Sequence, residues 1–253
     1  MIIYIPTYRR TDNQVSIKSI PKKWLKNTYL VCEACEKEEL LQYHDQIIVL
    51  PDDIKGIGNI RQYIIEYTSD PHILYIDDDL KFFKRDDKKL KLVTEEQMNE
   101  LLDWFVKMLN IGYPIAGLSA QQGNHLSYPD KFIKNNRIYT VYAVNADVLK
   151  KHNIKFNELS LMEDFNVTLH LLRFGYENII NTQFAHGQKS SNAKGGCSTY
   201  RNAETQSKNA HKLAEIHYPF VKVITKHSKS WKDLEEREDV RISWKKAYTQ
   251  GRY

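Results

Sequence analysis

From Ile2 to Tyr75 the chain repeats one rhythm: a short, apolar, β-branched run, then a polar stretch with turn residues or helical spacing. "MIIYIPTY" ends its apolar run at Pro6, and "TYLVCEA" and "QIIVLP" follow as second and third runs of the same kind. Such runs read as buried strands. Next comes "DDIKGIGNIRQYIIEYTSD", in which Gly56 and Gly58 open a turn and Ile60, Ile64 and Tyr67 fall on one helical face. A fourth apolar run, "ILYI", leads into Asp77-Asp78-Asp79. Strand and helix in alternation predict an α/β fold with a mostly parallel sheet flanked by helices. Ligands of such sheets bind beyond the carboxyl ends of the strands. Tyr8-Arg9-Arg10 and the three aspartates both fall at predicted strand ends.

The remainder of the chain keeps to this plan. Thr94 to Gln97 has the T-x-x-Q form of a capping box, with Leu101, Leu102, Phe105 and Met108 at helical spacing up to Gly112. "RIYTVYAVNADVLKKHNI" alternates as a strand and turns helical after Asn145; "EDFNVTLHLLRFGY" predicts another helix, stopped by Gly175. No internal repeat or low-complexity linker interrupts the chain. At 253 residues and 42% hydrophobic composition there is enough material for a sizeable core. We expect a main domain over residues 1–218 and a basic, aromatic, helical segment over 219–253 packed on it.

Charge is unevenly placed. Residues 186–253 hold 14 Lys and Arg against 7 Asp and Glu, whereas residues 1–185 hold 23 against 25. The asymmetry points to a polyanionic partner, nucleic acid first and an anionic membrane surface second, unless it is only the solvated face of a helical tail. No apolar run approaches the roughly eighteen residues that span a bilayer, and the N-terminus lacks a signal peptide's layout, so the expected location is the cytoplasm. Three cysteines, Cys32, Cys35 and Cys197, argue against a disulfide framework. The single C-x-x-C has no second pair to complete a zinc site, which favours reduced structural thiols.

Three adjacent carboxylates behind a buried strand repel one another, and a cation relieves that repulsion. Hard oxygen ligands suit Mg²⁺ or Mn²⁺, which also bind substrate phosphates. On an extended segment Asp77 and Asp79 share a face, leaving Asp78 to point elsewhere. Glu163-Asp164 begins a predicted helix, where the macrodipole favours acids and where a carboxylate near a metal-phosphate site can serve as a general base. His186 follows the strand-like "NIINTQF". In "KGGCSTYR", Lys194, Gly195, Gly196, Ser198 and Arg201 form either a phosphate-binding loop or a surface turn.

In their order these pieces resemble the GT-A (Rossmann-like) nucleotide-sugar glycosyltransferases, family 2 type, over about residues 1–190. "IPTYRR" is similar to that family's first-strand segment, and Asp52-Asp53 and "GNIRQ" to the elements that hold base and ribose. "IDDD" is similar to its D-x-D metal motif, and "MEDFNVTLHLLRFGY" to its E-D helix. Within the family the chain looks closest to phage-type enzymes that glycosylate modified DNA bases. The short span between the metal motif and the E-D helix departs from larger members, and the basic C-terminal segment has no counterpart in the family's pattern.

The resemblance implies a UDP-sugar donor, Mn²⁺ or Mg²⁺, and a hydroxyl acceptor on a hydroxymethylated base in DNA. It places Asp79, Asp77 and His186 on the metal. Pro6, Thr7, Tyr8, Arg10, Asp53, Asn59, Arg61, Asp77 and Asp78 go to the donor, with Arg61 pairing Asp53 or the pyrophosphate. Asp164 becomes the base and Glu163 its positioning partner, an arrangement that implies inversion. Trp231, Trp244, Tyr248 and Tyr253 are candidates to stack on an extruded base. Rival readings are a glycan, lipid or protein acceptor on the same fold, a nucleotidyltransferase, and a non-catalytic DNA-binding module.

Overall fold

The computed structural model describes residues 1–86, 89–121, 130–188, 199, 201–227 and 236–253. In chain order its elements are β1 (Ile2–Pro6), α1 (Lys22–Leu25), β2 (Thr28–Cys32), α2 (Lys37–Leu40), β3 (Ile47–Val49), α3 (Ile57–Tyr67) and β4 (His72–Tyr75). Then follow β5 (Lys81–Asp86), β6 (Lys89–Leu92), α4 (Glu95–Asn110), β7 (Ile115–Ala120), β8 (Phe132–Lys134), β9 (Tyr142–Asn145) and α5 (Ala146–Lys151). The chain closes with α6 (Glu163–Arg173), β10 (Ile179–Gly187), α7 (Ala203–Ile216), β11 (Val221–His227), β12 (Glu236–Ile242) and α8 (Trp244–Gln250).

A 10-stranded sheet has the order β3-β2-β1-β4-β9-β7-β10-β5-β6, with β8 paired to β10. The pairs β1–β2, β1–β4, β2–β3 and β7–β10 are parallel. Strands β9, β5 and β8 run against the rest, as their antiparallel pairings show. The expected mostly parallel α/β architecture is therefore present, and β1, β2, β3 and β4 all end on the same edge.

Period-two alternation sorts the strand residues between two cores. Ile3, Ile5, Leu74 and Ile76 point to one face and pack with Leu101, Leu102 and Phe105 of α4. Tyr4, Ile73 and Tyr75 point to the other, where Ile60 and Ile64 of α3, Leu149 of α5 and Val167 and Leu171 of α6 close over them. The Thr94 hydroxyl caps α4, accepting from the Gln97 amide at 3.2 Å, and the Gln97 side chain returns the bond to Thr94 N. Tyr67 departs from its expected place: it is exposed and stacks on Tyr63.

Helix α6 is buried on two sides. Val167 and Leu171 face the sheet, while Leu169 and Leu172 join Ala210 and Leu213 of α7, Val221 and Val240 of the β11–β12 hairpin, and Ala247 of α8. The C-terminal segment is thus a hairpin followed by one short helix, not the helical appendage expected. Val221 pairs Ile242 and Val223 pairs Val240, so an apolar alternation lies under the charges that dominate the composition there. Among the described residues no helix is long and apolar enough to cross a membrane.

Candidate active site

The loop after β1 folds over the aspartates that follow β4. Backbone amides of Val15 and Ser16 donate to the Asp78 carbonyl at 2.9 and 3.0 Å, and Leu80 N donates to the Ser16 hydroxyl at 2.9 Å. The Thr7 hydroxyl donates to Asp78 Oδ2 at 2.6 Å. Gln14 Nε2 steadies Thr7 in turn, at 2.7 Å. One nitrogen of Arg10, Nη1, lies 2.8 Å from Asp78 Oδ1 and 3.0 Å from Asp79 Oδ2.

This arrangement corrects the expected alternation. Strand β4 ends at Tyr75, and Asp78 and Asp79 sit in the turn beyond it, so strand geometry no longer governs them. Asp78 and Asp79 therefore converge on one point, whereas Asp77 turns to Arg61 Nη2, 3.3 Å away. Burial pushes all three carboxyls up, with Asp78 reaching about 6, and the neighbouring guanidinium groups oppose the rise.

Arg61 crosses from α3 to α6. Its Nη1 donates to Glu163 Oε1, and its guanidinium lies over the rings of Tyr75 and Tyr142, 5.6 and 5.2 Å from their centroids. The expected partner Asp53 is exposed and does not line the cleft. Burial raises the Glu163 carboxyl to about 7 even though Arg61 pulls it down. Asp164 is half-buried, and its Oδ1 accepts from the Phe165 amide at 2.9 Å. Immediately before this pair Met162 has φ of 63°, a left-handed conformation that costs a non-glycine residue about 1–3 kcal/mol. No glycine marks it in the sequence.

These groups surround a cleft of about 840 Å³ at the carboxyl ends of the parallel strands. Pro6, Thr7, Tyr8 and Arg10 line it from the first loop, Asn59 and Arg61 from α3, and Asp77 and Asp78 from the end of β4. Glu163, Asp164 and Arg201 line it as well, whereas the expected Asp79 and His186 are not among its lining residues. Lys194, Gly195, Gly196, Ser198 and Trp231 lie outside the described residues. Sequence reading missed Arg137, Thr140 and Phe165, and also Arg237 and Asp239 of β12, which line the same cleft. A strand-like "RIYTVY" and a charged hairpin carry no motif that points to a site.

The expected metal set of Asp77, Asp79 and His186 is not brought together. His186 is buried on β10 behind Thr140, whose hydroxyl is 3.3 Å from its Nδ1. Among the described residues no group of three His, Cys, Asp or Glu side chains stands close enough to hold a metal ion. What does fit a divalent ion is the convergence of Asp78 and Asp79 on a single cationic nitrogen, together with Asp79 Oδ1, buried and without a hydrogen-bond partner. Two carboxylates completed by substrate phosphate suit Mg²⁺ or Mn²⁺.

The described stacking candidates lean on neighbouring side chains of the protein: Trp244 and Tyr248 are half-buried and Tyr253 is exposed. Tyr253 lies 4.4 Å from the Phe174 ring and under Arg173, and Trp244 meets Phe165 edge-on at 5.6 Å. Tyr248 is half-buried beside the core behind α6. Cys32 and Cys35 are free; Cys32 is buried and its thiol is pushed up to about 12, that of an inert structural group.

The model of one family, TET-associated glycosyltransferase, matches residues 1–196. The beta-glucosyl-HMC-alpha-glucosyl-transferases of Enterobacteria phages T2 and T6 are 27% and 25% identical to this chain, each over 85% of it and 80% of the relative. Among solved structures, S. aureus TarS 1–349 in complex with UDP-GlcNAc superposes with a TM-score of 0.54 at 11% identity, over 85% of this chain and 66% of that one. Glucosyl-3-phosphoglycerate synthase from Mycobacterium tuberculosis, in complex with Mn²⁺, UDP-glucose and phosphoglyceric acid, gives 0.53 at 13% identity, over 93% and 88%. At such identities the two structures share the fold with this chain.

Proposed function

The chain belongs to the TET-associated glycosyltransferase family, and on that premise we propose that it transfers a sugar from a UDP-sugar, with Mn²⁺ or Mg²⁺, to a hydroxyl on a hydroxymethylated base in DNA. The observation that carries the reading is one cleft holding two acidic pairs: Asp77-Asp78 after β4 on the donor side and Glu163-Asp164 at the start of α6 on the other. The names of the phage relatives, which include HMC, support a modified cytosine as acceptor. The UDP-sugars bound in the two superposed structures support UDP as the nucleotide.

In this reading Thr7, Tyr8, Arg10 and Asn59 hold the nucleotide. Asp79 and Asp78 would hold the cation, which when bound stabilises the charge that develops on the departing diphosphate. Asp164 takes the proton of the acceptor hydroxyl, and Glu163, tied to Arg61, fixes the first turn of α6 that carries it. Arg61 meanwhile holds Asp77, so donor and acceptor sides of the cleft share one buried guanidinium.

A directly placed base implies single displacement with inversion. With an α-linked donor the product is then a β-glycoside. A second reading, retention, is favoured by "alpha-glucosyl" in the names of both phage relatives. The anomeric coupling of the product's sugar, read by NMR, separates the two.

Release of UDP from a panel of UDP-sugars with Mn²⁺ tests the function. Hydroxymethylated DNA is expected to accelerate release well above unmodified DNA. Equal rates with both DNAs overturn the acceptor assignment.

A further inference from the structure

The turn joining β8 to β9 is held unusually firmly for a connection at a cleft mouth. Asn135 adopts a left-handed φ of 53°. Asn178, fully buried, clamps the turn: its Oδ1 accepts from Asn136 N at 3.0 Å and its Nδ2 donates to Asn136 O at 2.7 Å. On the far side Ile138 is buried against Gly117, where a Cβ would stand 2.6 Å from Ile138 Cδ1. Between these anchors Arg137 is exposed. Its guanidinium lies 4.7 Å from the centroids of both Tyr139 and Phe165, and Phe165 follows Asp164 directly.

The same turn borders a second concavity. Asn135 and Asn136 face Ser243, Trp244, Lys245 and Lys246 across a hollow of about 250 Å³. Lys245 and Lys246 are exposed, and among the described residues neither meets an acidic partner. Lys134 on β8 and Lys226 on β11 are by contrast tied to Glu177 and Asp239, so the two adjacent ammonium groups at this hollow are Lys245 and Lys246. Phe165 and Trp244, in edge-on contact, link the cleft to the hollow.

We propose that this surface is the acceptor track for a nucleic-acid strand: its phosphates lie over Lys245 and Lys246, and one extruded base stacks on the Arg137–Phe165 face beside Asp164. A planar cation held against aromatic rings is a sequence-tolerant platform for a base, and paired lysines supply sequence-independent affinity. The track draws on Trp244, Lys245 and Lys246, which lie outside the 1–196 match, so this part of the surface is supplied by the chain's own C-terminal segment. The inference rests on the proposed DNA acceptor, but its binding step needs no sugar chemistry.

Binding of a fluorescein-labelled duplex containing hydroxymethylcytosine, followed by anisotropy across a KCl series, tests it. Lys245→Ala/Lys246→Ala is expected to reduce the slope of log affinity against log salt by about 1.8, or roughly 0.9 per lost phosphate contact. Lys150→Ala/Lys151→Ala, on α5, which starts beside His72 at the amino end of β4 and so away from the cleft, is expected to leave the slope unchanged. Arg137→Ala is expected to raise the KM for the oligonucleotide by on the order of tenfold or more, with Arg137→Lys failing to restore it, since an ammonium group offers no plane. An unaltered slope in the Lys245/Lys246 variant, or no binding of DNA by the unmodified protein, overturns the track. DNA that binds with the expected slopes but receives no sugar would instead overturn the proposed function.

Discussion

Arg61 and Glu163 form a buried ion pair that ties α3 to the first turn of α6. A buried pair costs more to break than it contributes when intact, because removing one partner leaves the other charge uncompensated. Arg61→Met is expected to destabilise the protein by about 3–5 kcal/mol in urea denaturation. Arg61→Met/Glu163→Gln should recover part of that loss. A double variant no more stable than Arg61→Met would show that Glu163 is not the group left stranded.

Asp164→Asn separates chemistry from binding. The amide cannot accept the acceptor's proton, so turnover is expected to fall by about 10²–10⁴-fold while affinity for UDP stays within a factor of about two. Calorimetric titration of UDP with Mn²⁺ alongside steady-state kinetics checks both halves. If UDP affinity collapses with turnover, Asp164 belongs to the donor side.

Chelation with EDTA is expected to stop sugar transfer, and Mn²⁺ or Mg²⁺ to restore it. Asp79→Asn should raise the metal concentration needed for half-maximal rate, because Asp79 offers a buried carboxylate oxygen with no protein partner. Transfer that persists in EDTA would remove the metal from the mechanism.

Gly58 reports on the approach of α3 to the segment leading into α6. A Cβ there would lie 2.8 Å from Leu159 O and 3.0 Å from Phe156 O, both backbone atoms that cannot swing aside. Gly58→Ala is expected to cost about 1–3 kcal/mol, read by thermal or urea unfolding. A neutral effect would mean that this contact is looser than the structure shows.

His217 ties stability to pH. It is fully buried, with its Nε2 2.8 Å from Asn166 Oδ1 and its Nδ1 3.3 Å from Arg173 Nη1. That setting requires a neutral ring donating from Nε2. Burial first, then His170 and Arg173, lower its pKa to about 2. The unfolded chain takes up this proton near pH 6.5, so the contribution is complete above that pH and is lost as pH falls below it. Comparing the protein with His217→Gln in urea, the stability difference is expected to shrink by about 1.4 kcal/mol between pH 7.5 and 5.5. A constant difference would mean that the ring takes up its proton as readily in the fold as in the unfolded chain.

Much of this was legible in the sequence because local rules and tertiary structure agree. Apolar alternation set Ile3, Ile5 and Tyr4 on their faces, Thr94 and Gln97 announced α4, and strand ends located the aspartates. What failed depended on contacts between distant segments. The placement of Asp78 beside Asp79 follows from where β4 stops and from Arg10, 68 residues away from Asp78. Arg61 finding Glu163 across 102 residues leaves no local trace. The left-handed Met162 is imposed by its surroundings, and Arg137 reaches the cleft through a clamp built by Asn178. The hairpin β11–β12 was hidden because charged residues fill its exposed positions while Val221 and Val240 carry the inward face.

The central claim is that this cleft moves a sugar from a nucleoside diphosphate onto a modified base in DNA. Its most direct test is to incubate the protein with Mn²⁺, UDP-sugars and DNA with or without hydroxymethylcytosine, digest the DNA, and weigh the nucleosides. The account predicts that the hydroxymethylated nucleoside, bare or already glucosylated, gains the mass of one sugar residue, and that Asp164→Asn slows the gain by about the same 10²–10⁴-fold. Hydrolysis of the donor with no nucleoside gaining mass would contradict it.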